Sequence, residues 1–233
     1  MVLNPLSKNR NTLGEQAYRA IRAEIISLRL EPGQMIYENE LAAAFGVSRS
    51  PIREAFVMLT REELVEVLPQ RGTRIAYIST KKVEEARFVR ESLEASAFKA
   101  VAGLWREDDP HFQSAARDVE KLLEDQRRSL ENEDYMTFLD LDEAFHQAIL
   151  ELYRNHTLLS VVTSMRGHLN RMRFLELKEA QHMTKLVGQH EAIFQAIRTN
   201  DEEGTERLLR HHLQQTRNEL PHIFQKYAHY FQE

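Results

Sequence analysis

Apolar residues recur at spacings of three and four along most of this chain, and the recurrence is interrupted at a few short breaks. Leu13, Ala17, Ile21, Ile25 and Leu28 form one stripe, predicting a helix that Thr12 caps and that runs to about Leu28. Glu31-Pro32-Gly33 reads as a turn. Leu41, Ala42, Ala44 and Phe45 give a second, short helix an apolar face, and Gly46 ends it, because glycine accepts the left-handed conformation of a helix stop. Val47 fills the turn. Ser48 stands where a cap is needed, and Pro51 falls in the first turn of a third helix, where a missing N–H costs nothing. That helix turns Ile52, Ala55, Phe56 and Leu59 inward and leaves Arg49, Ser50 and Arg53 outside. The period then shortens. Leu64–Leu68 and Thr73–Ile78 read as two strands joined by Pro69-Gln70-Arg71-Gly72.

Beyond residue 78 the pattern is helical throughout. Four of the eight glycines and four of the six prolines precede residue 73, so the remainder has few breakers among long Leu/Ala/Glu/Arg/Gln-rich runs. Ser79 or Thr80 caps the first of six or seven helices, near 80–105, 109–131, 134–153, 155–175, 180–199, 201–218 and 219–231. The fold class is therefore mainly α: a helix-turn-helix with a two-stranded wing over residues 1–78, then an all-helical domain over 79–233.

The first three helices and the hairpin suggest a use. A recognition helix presents its N-terminal end to a major groove, and a basic hairpin tip suits a minor groove or the adjoining backbone. Ser48, Arg49, Ser50 and Arg53 then contact bases and phosphates, with Arg71 and Gly72 at the wing tip. The net charge of −5 does not suit a protein that binds nucleic acid over its whole surface. Up to residue 78, however, ten Lys/Arg balance nine Asp/Glu, whereas the remainder holds 21 against 27, so a local basic patch fits the first part. With no cysteine there is neither a disulfide framework nor thiolate chemistry, which fits a reducing cytoplasm. No run is apolar enough to span a membrane and no signal peptide follows Met1, so a cytoplasmic protein is expected.

Candidate chemistry in the helical part comes from ionisable groups on apolar stripes. Asp142 and His146 fall inside the stripe of Phe138, Phe145, Ile149 and Leu150, four residues apart and on one face. His190 is central to the stripe of Leu186, Val187, Ile193, Phe194 and Ile197. His212 lies on that of Leu208, Leu209, Leu213 and Thr216, while His211 points away. Buried unpaired, such groups are costly. They are either separate core side chains, each bonded to a backbone carbonyl, or four ligands of one divalent ion, zinc or nickel being the best match for three nitrogens and one oxygen. Arg90, on the stripe of Val83, Ala86, Leu93, Ala97, Val101 and Leu104, either pairs with Glu94 or awaits an anion. Arg173 and Arg166 lie at the edge of the stripe of Leu158, Val162, Met165 and Leu169.

The run E-x-E-L-A-x-x-F-G-V-S-R-x-P-I-R-E-A-F-x-x-L followed by P-Q-R-G resembles the winged helix of GntR-family bacterial transcription regulators, over about residues 12–78. Asn39 falls where many relatives carry a basic residue. D-x-x-F-H at 142–146, Q-H-E-x-I at 189–193 and H-H-L at 211–213 resemble the FCD ligand-binding domain of the FadR-like subgroup, over about residues 80–220. The resemblance implies a homodimer on a pseudo-palindromic double-stranded operator. It implies a metal held by Asp142, His146, His190 and His212, and a small organic acid that reaches it through a carboxylate; helical phase makes Arg90 and Arg173 the candidate effector contacts. In that family the commoner behaviour is repression released by the effector. Three alternatives remain: a regulator that answers to the metal alone, a purely structural metal, and a metal-dependent hydrolase. Against the hydrolase, no recognised general base accompanies the ligands, and Glu143 points away from the stripe.

Overall fold

The computed structural model describes residues 12–179, 183–214 and 220–232. They form two compact units. The first contains the chain up to Val83 together with Ser164–Met172 and the C-terminal segment from Phe224; the second contains Glu84–Thr163 and Arg173–Ile223.

The first unit begins with α1 (Leu13–Ile26). Thr12 Oγ1 accepts the Glu15 N–H at 3.1 Å and Glu15 Oε2 accepts the Thr12 N–H at 3.0 Å, so two orphan donors of the helix end are satisfied reciprocally. Ala17, Ile21, Ile25 and Ile26 are buried, and α1 packs on α3 (Arg49–Arg61). The helix stops at Ile26, short of Leu28, which takes a left-handed φ of 58°. Leu30 fills the core after it. Between α1 and α3 lies α2 (Glu38–Phe45), closed by Gly46 at φ 66° with the Val47 N–H bonded to Ala42 O at 3.0 Å. Leu41, Ala42 and Phe45 are its buried face; Ala44, expected there, is exposed. Ser48 precedes α3 as expected, but its side chain makes no capping hydrogen bond. Ile52, Ala55, Phe56 and Leu59 are buried.

The wing is a hairpin of β2 (Val65–Leu68) and β3 (Gly72–Ile75), and β1 (Met35–Ile36) adds a third antiparallel strand in the order β1-β3-β2. Thr73 and Ile75 face inward while Arg74, between them, pairs with Glu66 at 2.6 Å. The tip carries Gln70 at φ 61° and Gly72 at φ 112°, and a Cβ on Gly72 would lie 2.9 Å from the Tyr37 ring, so glycine is required there. After β4 (Ile78–Ser79) the chain enters α4 (Thr80–Leu104), whose fourth residue ends this stretch of the unit.

The second unit is built from the rest of α4 with α5 (Pro110–Glu131), α6 (Tyr135–Leu152), α7 (His156–Ser164), the second half of α8 (Arg166–Glu179), α9 (Met183–Arg198) and α10 (Glu202–Gln214). Side-chain oxygens of Asp109, Asp134, Asn155 and Asp201 accept first-turn N–H groups and so cap α5, α6, α7 and α10. Phe98, Val101, Trp105, Val119, Leu123, Phe145, Ile149, Ile193, Phe194, Ile197 and Leu209 form the core. Leu104 is exposed, and Trp105, one residue past the helix, is buried in its place.

Two expected helices are revised. The helix over 155–175 is split at Met165 into α7 and α8, at the point where the chain enters the first unit. From Arg166 to Met172 every residue is buried, the polar Arg166, His168, Asn170 and Arg171 included, so no single apolar stripe continues through. The helix over 219–231 is α11 (Leu220–Lys226), followed by a 3-10 turn at Ala228–Tyr230 and by β5 (Phe231–Gln232), which pairs in parallel with β4. Among the described residues, eight α-helices thus follow Ser79 rather than six or seven. Thr216 lies outside the described residues, as do the first residues of the helix expected from 180 and the last of that expected to 218.

Candidate metal centre and nucleic-acid interface

α6 delivers Asp142 and His146, α9 delivers His190, and α10 delivers His212, all from their buried faces. One ligand atom from each lies within 4.8 Å of the others. His190 Nε2 is 3.2 Å from His212 Nε2 and 3.4 Å from Asp142 Oδ1. His211 is exposed.

The surroundings determine which ring nitrogen carries the proton. Gln126, fully buried on α5, donates Nε2 to Leu141 O at 3.1 Å, which turns its Oε1 toward His190 Nδ1 at 2.8 Å. An amide oxygen only accepts, so His190 Nδ1 must donate. Gln189 Oε1 stands 2.9 Å from His212 Nδ1 and demands the same of that ring. Glu94 Oε2 lies 2.7 Å from His146 Nδ1. In all three rings Nδ1 faces an acceptor, so in a neutral ring Nε2 keeps its lone pair. Phe145 stacks on the His190 ring at 4.4 Å between centroids, which also fixes its plane.

Protonation of these rings is opposed. Burial pushes His146 below its ordinary value, His190 down to about 3 and His212 well down. Burial would raise both carboxylates, but the Arg173 guanidinium, with His146, His190 and Arg90, holds Asp142 well below the usual range. Against the same burial penalty, Arg90 and His146 hold Glu94 at about 2. The interior thus presents neutral imidazoles beside an ionised Asp142. Asp142 Oδ1 and His146 Nε2 have no hydrogen-bond partner among the described residues. Three neutral imidazole nitrogens and one carboxylate, aimed together and left unsatisfied, fit a divalent metal.

Two of the three arginines singled out on the helical stripes, Arg173 and Arg90, are at this centre. Arg173 Nη2 is 2.5 Å from Asp142 Oδ2. Arg90 donates Nε to Glu94 Oε1 at 2.7 Å, the pairing foreseen for it, and its Nη2 lies 4.0 Å from Asp142 Oδ2. Arg166 belongs to the first unit. Gln126 was not singled out. It lies on the buried stripe Ala116, Val119, Leu123, Gln126, so the phase argument used for the histidines points to it as well.

In the first unit, Ser48, Arg49, Ser50 and Arg53 are exposed around the N-terminus of α3, whose first turn has no acidic residue. A helix N-terminus with free N–H groups and cationic side chains favours phosphate. Arg53 donates Nε to Glu38 Oε2 at 2.8 Å. Arg71 is exposed at the wing tip beside the half-buried Gly72. Among the described residues no helix is long and apolar enough to cross a membrane.

The sequence matches the bacterial regulatory proteins of the gntR family over residues 13–75 and the FCD domain over residues 85–215. It is 34% identical to an HTH-type transcriptional regulator of an unstable DNA locus in Streptomyces ambofaciens, over 92% of this chain and 88% of the relative. It is 28% identical to the HTH-type transcriptional repressor RspR of Escherichia coli, over 95% and 94% of the two chains. The solved structure of Escherichia coli McbR/YncC superposes with a TM-score of 0.76 at 20% identity, over 93% of this chain and 99% of the other, and shows the same fold. The chain belongs to the GntR family of bacterial regulatory proteins, in its FCD-containing branch, and is a DNA-binding transcription regulator rather than an enzyme.

Proposed function

We propose that this regulator is a homodimeric repressor whose operator affinity is set by a small carboxylate bound at a metal in the helical unit. The observation that carries the proposal is the approach of His190 Nε2 to His212 Nε2 at 3.2 Å and to Asp142 Oδ1 at 3.4 Å in the buried interior of the unit. Asp142, His146, His190 and His212 hold the ion, zinc or nickel by donor type. When bound, the metal supplies a Lewis-acidic position for an anionic oxygen. Arg90 and Arg173 flank it with guanidinium groups suited to a carboxylate. Ser48, Arg49, Ser50 and Arg53 read the major groove, and Arg71 and Gly72 contact the backbone from the wing. Repression is supported by the relative RspR, named as a repressor.

An effector shifts DNA binding only if it favours one arrangement of the protein over another. The test is to select the operator from random duplexes, then measure its release by a panel of small carboxylates before and after metal stripping. Release by one acid, lost on stripping and restored by zinc or nickel, is the expected result. Release on stripping with no response to any acid would replace the carboxylate with the metal as the signal.

A further inference from the structure

The C-terminal end of the chain contacts the strand that leads out of the winged helix. β5 pairs in parallel with β4, Phe231 opposite Ile78 and Gln232 opposite Ser79. β4 is the last extended piece of chain before α4, and it is tied down elsewhere too. The Ser79 N–H donates to His168 Nδ1 at 3.2 Å, and Ser79 Oγ accepts the Lys82 N–H at 3.3 Å in the first turn of α4. The approach to β5 is anchored on the winged helix by Tyr230, whose hydroxyl donates to Glu31 Oε1 at 3.1 Å in the turn between α1 and β1. Phe224 meets the Phe231 ring edge-on at 4.9 Å, and Tyr227 lies parallel to Tyr230 at 5.9 Å. All these residues belong to the first unit.

The two strands are unequal in their burial. Ile78 and Ser79 are buried beneath the contact, whereas Phe231 and Tyr230 are half-buried and Gln232 is exposed. Among the described residues, two paired strand positions and the Tyr230 hydroxyl tie residues 228–232 to the winged helix and β4, a short attachment of the kind that local opening undoes. We propose that residues 228–232 are a releasable strap on β4, and that its seating stiffens the linker between the winged helix and α4 and so sets operator affinity. The inference rests on the dimeric DNA-binding reading above. With the linker held, less freedom is lost when two recognition helices are placed on two half-sites. Released, the linker must be ordered at the moment of binding.

Two variants test this. Termination after Tyr227 removes the strap. Specific operator affinity should fall about tenfold, the cost of ordering one or two backbone residues, with faster amide exchange at β4 and unchanged metal content and dimer mass. Ser79→Cys with Gln232→Cys places the only two cysteines of the chain at paired positions. On oxidation they should join within one chain, slow β4 exchange and leave operator affinity at or above that of the parent. A truncated chain that keeps both its affinity and its β4 protection overturns the proposal. So does a cysteine pair that does not close, or that closes only between two chains. If the truncated chain does not fold, the cysteine pair decides alone. Absence of operator binding by the parent protein would count against the function proposed above and not against the strap.

Discussion

His190 Nε2 and His212 Nε2 face each other at 3.2 Å in the interior of the helical unit, and the Nδ1 of each ring lies against a glutamine oxygen, where a donor fits. Two lone pairs at that distance repel unless a cation lies between them or one ring is protonated. Burial opposes the proton, holding His190 near 3 and His212 well down. A metal would satisfy both rings and Asp142 Oδ1 together, while Oδ2 stays paired with Arg173. The orientation of the rings therefore depends on side chains that are not themselves of metal-ligand type.

Gln126 is the first such side chain. Gln126→Leu removes the acceptor that holds the His190 ring with its proton on Nδ1. Metal affinity should fall about 10- to 100-fold, read by competition with a chromophoric chelator. Gln126→Glu keeps an acceptor at that place and should lose less. Equal, unchanged affinity in both variants would deny Gln126 an orienting role.

The metal-free protein should lose stability in acid earlier than its carboxylates alone would dictate. His190 has an ordinary value of 6.5 and is held at about 3 in the fold. Between those values the unfolded chain binds the proton and the folded chain does not, so the stabilisation present above pH 6.5 is lost as the pH falls toward 3. Each histidine so placed contributes a slope of roughly 1.4 kcal/mol per pH unit. His146 and His212 shift in the same direction. Urea midpoints measured on stripped protein between pH 7 and pH 5 should decline steadily. A flat profile would mean that the three rings are not neutral in the fold.

Arg49 should be needed for recognition and not for folding. Its side chain is exposed at the start of α3. Arg49→Ala should cost roughly 1–3 kcal/mol of specific operator binding and leave the thermal midpoint unchanged. Retained discrimination between operator and random duplex would remove Arg49 from the reading face.

Two glycines of the first unit should respond to alanine for different reasons. Gly46 has open space around it but a φ of 66°, so Gly46→Ala should cost about 1 kcal/mol through the backbone alone. At Gly167 on α8 a Cβ would lie 2.5 Å from the carbonyl oxygen of Glu62, the residue that caps the C-terminus of α3. Backbone there must move, and the loss should be larger, roughly 1–3 kcal/mol. Urea unfolding of the two variants gives the order, and the reverse order would show that α8 does not press on that turn.

How far the sequence could be read depended on the range of the contacts involved. Helical phase alone placed Asp142, His146, His190 and His212 on buried faces, because a stripe is a local property and each of these residues sits inside one. The turn at Gly46 and the wing-tip glycine are equally local. The same phase test reaches Gln126, but a glutamine is not of metal-ligand type, and its value lies in what it does to His190. The break at Met165 and the strand at Phe231 were not legible. Arg166–Met172 is buried on all sides by distant chain, which erases the stripe, and β5 is held by residues some 150 positions away. Ser48 shows a smaller limit: the sequence marks the cap position, while the hydrogen bond depends on a rotamer.

The most direct test is a metal titration of stripped, untagged protein followed by thermal unfolding, with His190→Ala alongside. One tightly bound zinc or nickel per chain is expected, with a higher midpoint by mass action, a further rise with the right carboxylate, and none of the three in His190→Ala. Stripped protein that takes up no stoichiometric metal, or a His190→Ala variant that binds it as well as the parent, would contradict the metal centre on which the account rests.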